Sequence, residues 1–166
     1  MENNLYIVKE YFDPYDRLKA KEIFAHELTH VIQGRYFDTP ERRSHDGKQA
    51  WSALIEGDAG LTAKEYVETK ADPENPSAPT PTPKASFSYI YASEEMDPLT
   101  QIWLFPYQYG ESFVKALYTN GGWARVNQAY KDPPQTTEQI MHPEKYLEGE
   151  WYAEVEATPL NASGWI

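Results

Sequence analysis

A mostly helical α+β domain with one small β-sheet is the fold the sequence predicts, on three observations. Residues 17–33, 48–69 and 107–118 read as helices. Residues 5–8, 86–91 and 150–157 are short runs with strand character, the middle one open to a loop reading as well. A chain of 166 residues is long enough for one sizeable core and short for two, so residues 1–166 are expected to form a single domain.

Taken in order, Leu5-Tyr6-Ile7-Val8 is the first expected strand, either interior or an edge that pairs with an extended peptide. Asp13-Pro14 ends it, and Asp16 is placed to cap a helix running from Arg17 to Ile32 or Gln33, with Gly34 as its stop. In that helix Phe24, Leu28, Val31 and Ile32 share one side and His26 and His30 the other. The apolar side is therefore expected to face the core. Residues 35–48 are polar and read as a loop, in which His45 is expected to be solvated. The second helix follows over 48–69. Around Glu56 its face carries Ser52, Ala53, Gly60 and Ala63, small residues that let another helix come close. Gly57 and Gly60 can equally be read as residues that weaken or kink this helix.

Residues 72–84 contain five prolines and no apolar periodicity, and read as an extended surface loop within the domain. Pro106 precedes the third helix, whose apolar face is Phe113, Val114, Leu117 and Tyr118. Gly121-Gly122 ends it, and a short helix over 123–130 is closed by Pro133-Pro134. Thr136, with Gln139 three residues on, has the form of a capping box for a turn ending at His142-Pro143.

The net charge of −11 argues against nucleic acid and anionic membranes as partners, because both recruit basic surfaces. No cysteine is present, which excludes disulfides, thiolate metal sites and cysteine nucleophiles. No apolar segment approaches the length of a membrane span, and no signal peptide is visible at the start. A soluble chain is expected. A place outside the cytoplasm stays open should it be part of a longer protein, and oligomeric state is not legible.

The stretch that carries chemistry is Ala25-His26-Glu27-Leu28-Thr29-His30-Val31-Ile32-Gln33, which holds an HExxH pattern. Four residues apart on a helix, His26 and His30 project from one face and can chelate one metal ion. Glu27 lies about 100° further round, placed to reach a water on that metal without being a ligand. Catalytic zinc takes three protein ligands, so a third is required. The HExxHxxGxxH arrangement fails, since position 33 is Gln and position 36 is Tyr. A glutamate from the following helix is the main alternative, and Glu56 is the acidic residue on the small-residue face. Asp58 points about 200° away from it on an ideal helix, and reads as an anchor for a neighbouring loop or a protonated group, or as a solvated residue.

His26-Glu27-Leu28-Thr29-His30 followed by Glu56-Gly57-Asp58-Ala59 resembles the gluzincin class of metallopeptidases, which includes thermolysin. It is more closely similar to a largely uncharacterised, peptidase-MA-like set from bacteria and archaea. That similarity extends to Tyr109-Gly110, to Gly121-Gly122-Trp123, and to the run Pro133-Pro134-Gln135-Thr136-Thr137-Glu138-Gln139-Ile140-Met141-His142-Pro143-Glu144-Lys145-Tyr146. The resemblance implies a zincin-like fold, with His26 and His30 on an active-site helix and Glu56 on a glutamate-bearing helix. It implies Zn2+ as cofactor and a peptide or protein as substrate. Thermolysin-like enzymes carry an acid four residues after the ligand glutamate; here that position is Gly60, so support for the ligands must come from elsewhere.

The expected chemistry is peptide hydrolysis through a zinc-activated water, with Glu27 as general base. An oxyanion donor is needed as well, and His142 is the first candidate, with Tyr109 and Tyr146 behind it. A histidine at a helix end contacting carbonyls is the plainer reading of His142. Two other functions stay open: a catalytically inactive zincin-fold module that binds zinc or another protein, and a zinc hydrolase acting on something other than peptides.

Overall fold

The computed structural model describes residues 6–8, 12–41, 44–69 and 97–153. Five helices make up the regular structure among these residues: α1 (Arg17–Tyr36), α2 (His45–Thr69), α3 (Pro98–Lys131), α4 (Thr137–Met141) and α5 (Pro143–Glu148). Helix α2 is the centre. It packs against α1, α3 and α4, and α5 packs against α3 and α4.

The expected sheet is absent among the described residues, so the fold is all-α rather than α+β. Residues 6–8 are irregular and exposed, and without a neighbouring strand an extended run gains no ladder hydrogen bonds. Residues 150–153 are irregular too, for a local reason. Gly149 takes the left-handed conformation at φ 74°, and the Glu150 N–H closes back on the Lys145 carbonyl at 2.8 Å. This Schellman cap claims the backbone where the strand was expected to begin. Leu5, residues 86–91 and 154–157, and the proline-rich stretch 72–84 lie outside the described residues.

Helix α1 reverses the expected orientation. Its buried residues are His26, Thr29 and Gln33, while Leu28, Val31 and Ile32 are 59, 44 and 55% exposed. The polar face packs on α2 because Gln33 finds buried partners there, which removes the usual cost of burying an amide. Asp16 caps the helix as expected, accepting from Lys19 N–H at 3.0 Å. Gly34 does not stop it; the helix continues to Tyr36, and Phe37 then stacks on Tyr130 with ring centroids 3.9 Å apart.

Helices α2 and α3 start earlier than expected. Ser44 accepts from Gly47 N–H and opens α2 at His45, which is an exposed helical residue rather than part of a loop. Asp97 caps α3 through Leu99 and Thr100, so Pro106 falls inside the helix instead of before it. A proline there has no N–H for the carbonyl four residues back. That carbonyl, of Ile102, is served by Gln49 Nε2 from α2 at 3.0 Å. The expected break at Gly121-Gly122 is present as a kink, with Gly122 at φ 62°.

Leu54, Leu104, Phe113, Val114, Leu117, Val126 and Ile140 are fully buried and form the core with Trp51, Tyr130 and Tyr146. Each large apolar side chain so buried contributes about 1.5–3 kcal/mol. The close helix approach expected beside Glu56 occurs, but through Ala53 and Gly57 against Gly110 of α3. Gly60 is not part of that seam; a Cβ there would meet only Glu111 Oε2, at 3.7 Å.

Candidate metal centre

The fold brings His26, His30 and Glu56 together. On α1 the two imidazoles stand one turn apart, with His30 Nε2 and His26 Nε2 separated by 3.1 Å. From α2, Glu56 Oε2 reaches to 3.2 Å from His26 Nε2 and 3.4 Å from His30 Nε2. The seam at Gly57 fixes Glu56 in this position by locking the next residue against α3.

These three atoms suit a small divalent cation. Bonds of about 2.0–2.1 Å at tetrahedral angles place ligand atoms about 3.3 Å apart, which matches the three edges of the triangle. Glu56 Oε2 is buried, and its neighbours are the two ring nitrogens, which stand at ion-pair distance without good hydrogen-bond geometry. A buried oxygen left in this way is costly unless a cation or donor completes it. Nitrogen and carboxylate oxygen donors without thiolate are ligands that zinc accepts. His26, His30 and Glu56 can therefore hold a metal ion.

Electrostatics at the trio are strongly coupled. Burial alone would raise the Glu56 carboxyl; the nearness of His26 and His30 outweighs it and brings the group down to about 2. For His30, burial pulls downward, but Glu56, Gln33 and the charge of Glu27 prevail and raise it above its ordinary value. Glu27 follows His26 on α1, is half-buried, and stands outside the trio.

A second layer of contacts lies behind His30. Its Nδ1 is 2.8 Å from Gln33 Oε1. Gln33 Nε2 donates to the Ile55 carbonyl at 3.1 Å, and lies 2.9 Å from both Asp58 Oδ2 and the Tyr130 hydroxyl. Tyr130 in turn donates to Asp58 Oδ2. Asp58 is buried rather than solvated, and the groups it holds are neither a loop nor a protonated side chain but the Gln33 amide of α1 and the Tyr130 hydroxyl of α3. Burial and the Asp58 charge push the Tyr130 hydroxyl far up, keeping it a neutral donor.

Sequence reasoning missed Gln33 and Tyr130. Gln33 had a signal, since positions 26, 30 and 33 share one helical stripe. Tyr130 is 97 residues away from its partner Gln33 and had none.

The candidate oxyanion donors do not join the trio. His142 sits between α4 and α5, half-exposed, with Nδ1 3.4 Å from Glu144 Oε1. Tyr146 is buried in the core, where its hydroxyl donates to the Asp132 carbonyl at 2.7 Å and burial lifts it to about 12. Tyr109 is 40% exposed and stacks on Phe105. Beside Glu56 opens a groove of about 310 Å³, walled by Lys48, Gln49 and Ser52 of α2 and by Trp103 and Tyr107 of α3. None of the helices is long and apolar enough to cross a membrane among the described residues. Compared against known proteins, no family model, curated protein or solved structure matches the chain.

Proposed function

We propose that the chain is a zinc-dependent hydrolase of peptide bonds, with His26, His30 and Glu56 holding one zinc ion and Glu27 acting as general base. The observation that carries this reading is the triangle of donor atoms, 3.1–3.4 Å on its edges, closed by the buried Glu56 Oε2. A zinc ion held there supplies Lewis acidity and lowers the pKa of a bound water towards about 7. Glu27, on the helix that carries both histidines, takes the proton of the attacking water and delivers it to the leaving amine. The groove beside Glu56 receives the substrate, with Trp103 and Tyr107 offering aromatic surface and Lys48 a positive charge. Peptide as the substrate class is supported by the resemblance of the two motifs, His26 to His30 and Glu56 to Ala59, to gluzincin metallopeptidases.

A non-catalytic zinc-binding module is the second reading. It is favoured by the positions of the three candidate donors: Tyr146 is spent on Asp132, His142 faces Glu144, and Tyr109 stacks on Phe105. Hydrolysis of casein by the purified, zinc-loaded chain separates the two. Chelator-sensitive cleavage that disappears in Glu27→Gln, with zinc retained, is expected for the hydrolase. Undiminished cleavage by that variant removes Glu27 as base, and no cleavage by the wild type removes peptide hydrolysis, leaving the binding module or a hydrolase of something other than peptides.

A further inference from the structure

Gln33 stands where its amide can have only one orientation. Its Nε2 faces the Ile55 carbonyl and the Asp58 carboxylate, both of which only accept hydrogen bonds when Asp58 is ionised. Turning the amide over would set its oxygen against those two oxygens, leaving Gln33 Oε1 a buried acceptor that faces only acceptors, a cost of about 1–3 kcal/mol. The Tyr130 hydroxyl does not relieve this, because its proton is directed at Asp58 Oδ2 and its oxygen accepts from Gln33.

With Gln33 Nε2 committed to these acceptors, Oε1 must face His30 Nδ1 at 2.8 Å, and only a protonated Nδ1 can donate to it. A neutral imidazole has one proton. Placing it on Nδ1 leaves the lone pair on Nε2, the atom turned towards His26 and Glu56. The Asp58 carboxylate thus stands behind His30 through a neutral amide that carries its effect to the ring.

We infer that Gln33, held in one orientation by Asp58 and Tyr130, is the positioning residue that fixes the tautomer and ring plane of His30 for metal binding. The inference rests on the metal reading above and extends it: Tyr130 on α3, remote in sequence from every proposed ligand, becomes a determinant of metal affinity. Groups behind metal-bound histidines change affinity by about 10- to 100-fold when removed.

The test is long-range 1H–15N correlation of the histidine ring nitrogens in the chelator-treated full chain, followed upward in pH until the His30 ring is neutral, because its neighbours raise it above the ordinary histidine range. It is joined to zinc affinity measured by competition with a chromophoric chelator. Wild-type His30 is expected to carry its proton on Nδ1. Gln33→Met, which keeps the length and removes the acceptor, is expected to mix the tautomers and to weaken zinc binding about 10- to 100-fold. Should that variant fail to fold, Tyr130→Phe removes a single hydroxyl and is expected to weaken zinc binding several-fold. A wild-type proton on Nε2, or zinc affinity unchanged in the folded variant, overturns the inference. The tautomer is read without metal, so a wild-type chain that takes up no zinc would defeat the proposed function and not this measurement.

Discussion

Gly57 of α2 and Gly110 of α3 lie so close that a Cβ added to Gly57 would fall 2.1 Å from the Gly110 carbonyl oxygen. Nothing flexible is available to move aside, since the obstacle is backbone. Gly57→Ala must push the helices apart, and Glu56 is the adjacent residue. Overpacking of this kind costs about 1–3 kcal/mol or more, expected as a fall in Tm of about 2–4 °C per kcal/mol for a domain of this size. Zinc content should fall with it. A variant with unchanged Tm and full zinc would show that the seam does not hold Glu56.

The Gln49 side chain and the Ile102 carbonyl make a second testable pair. Gln49→Ala is expected to destabilise the chain by about 0.5–1.5 kcal/mol in urea unfolding, because it orphans the carbonyl that Pro106 cannot serve. In a Pro106→Ala background the restored N–H supplies that carbonyl, so the same Gln49→Ala change should cost less. Equal costs in both backgrounds would remove the compensation.

In the groove beside Glu56, Trp103 is 65% exposed and makes aromatic contact with Tyr107. On the hydrolase reading, Trp103→Ala is expected to raise KM with little change in kcat, the signature of lost uniform binding. A fall in kcat at unchanged KM would place Trp103 at the reacting bond instead.

The pH dependence of the zinc-free protein follows from the coupled trio. Glu56 is depressed to about 2, so its contribution is present above the ordinary 4.5 and is lost as pH falls towards that lower value. His30 is raised, so its contribution is present below the ordinary 6.5 and is lost as pH rises through the folded value. Between those two ordinary values the pair stabilises the apo-protein most. Zinc reverses the upper limb, since it needs neutral imidazoles and gains as they deprotonate. Urea midpoints across pH, with and without chelator, should therefore diverge as pH rises. Parallel curves would contradict the shared site.

Much of the candidate site was legible because helical spacing is local. Residues 26, 30 and 56 sit on helices whose existence the sequence marks clearly, and the break at Gly121-Gly122 is equally local. What failed depends on distant partners. Leu28, Val31 and Ile32 form a convincing apolar stripe, yet α1 turns the opposite face inward because Asp58 and the Ile55 carbonyl satisfy Gln33. Pro106 looked like a helix start because Gln49, far away in the chain, supplies the missing hydrogen bond. At residues 150–153, where a strand was expected to begin, a glycine cap with a left-handed turn captures Glu150 instead.

Elemental analysis of the purified chain beside its Glu56→Ala variant, joined to X-ray absorption at the zinc edge, tests the metal centre most directly. The expected result is one zinc per wild-type chain, with nitrogen and oxygen neighbours at about 2.0–2.1 Å, and zinc largely lost from the variant. A wild-type chain without zinc, or a Glu56→Ala chain that keeps it in full, would contradict the His26, His30 and Glu56 site.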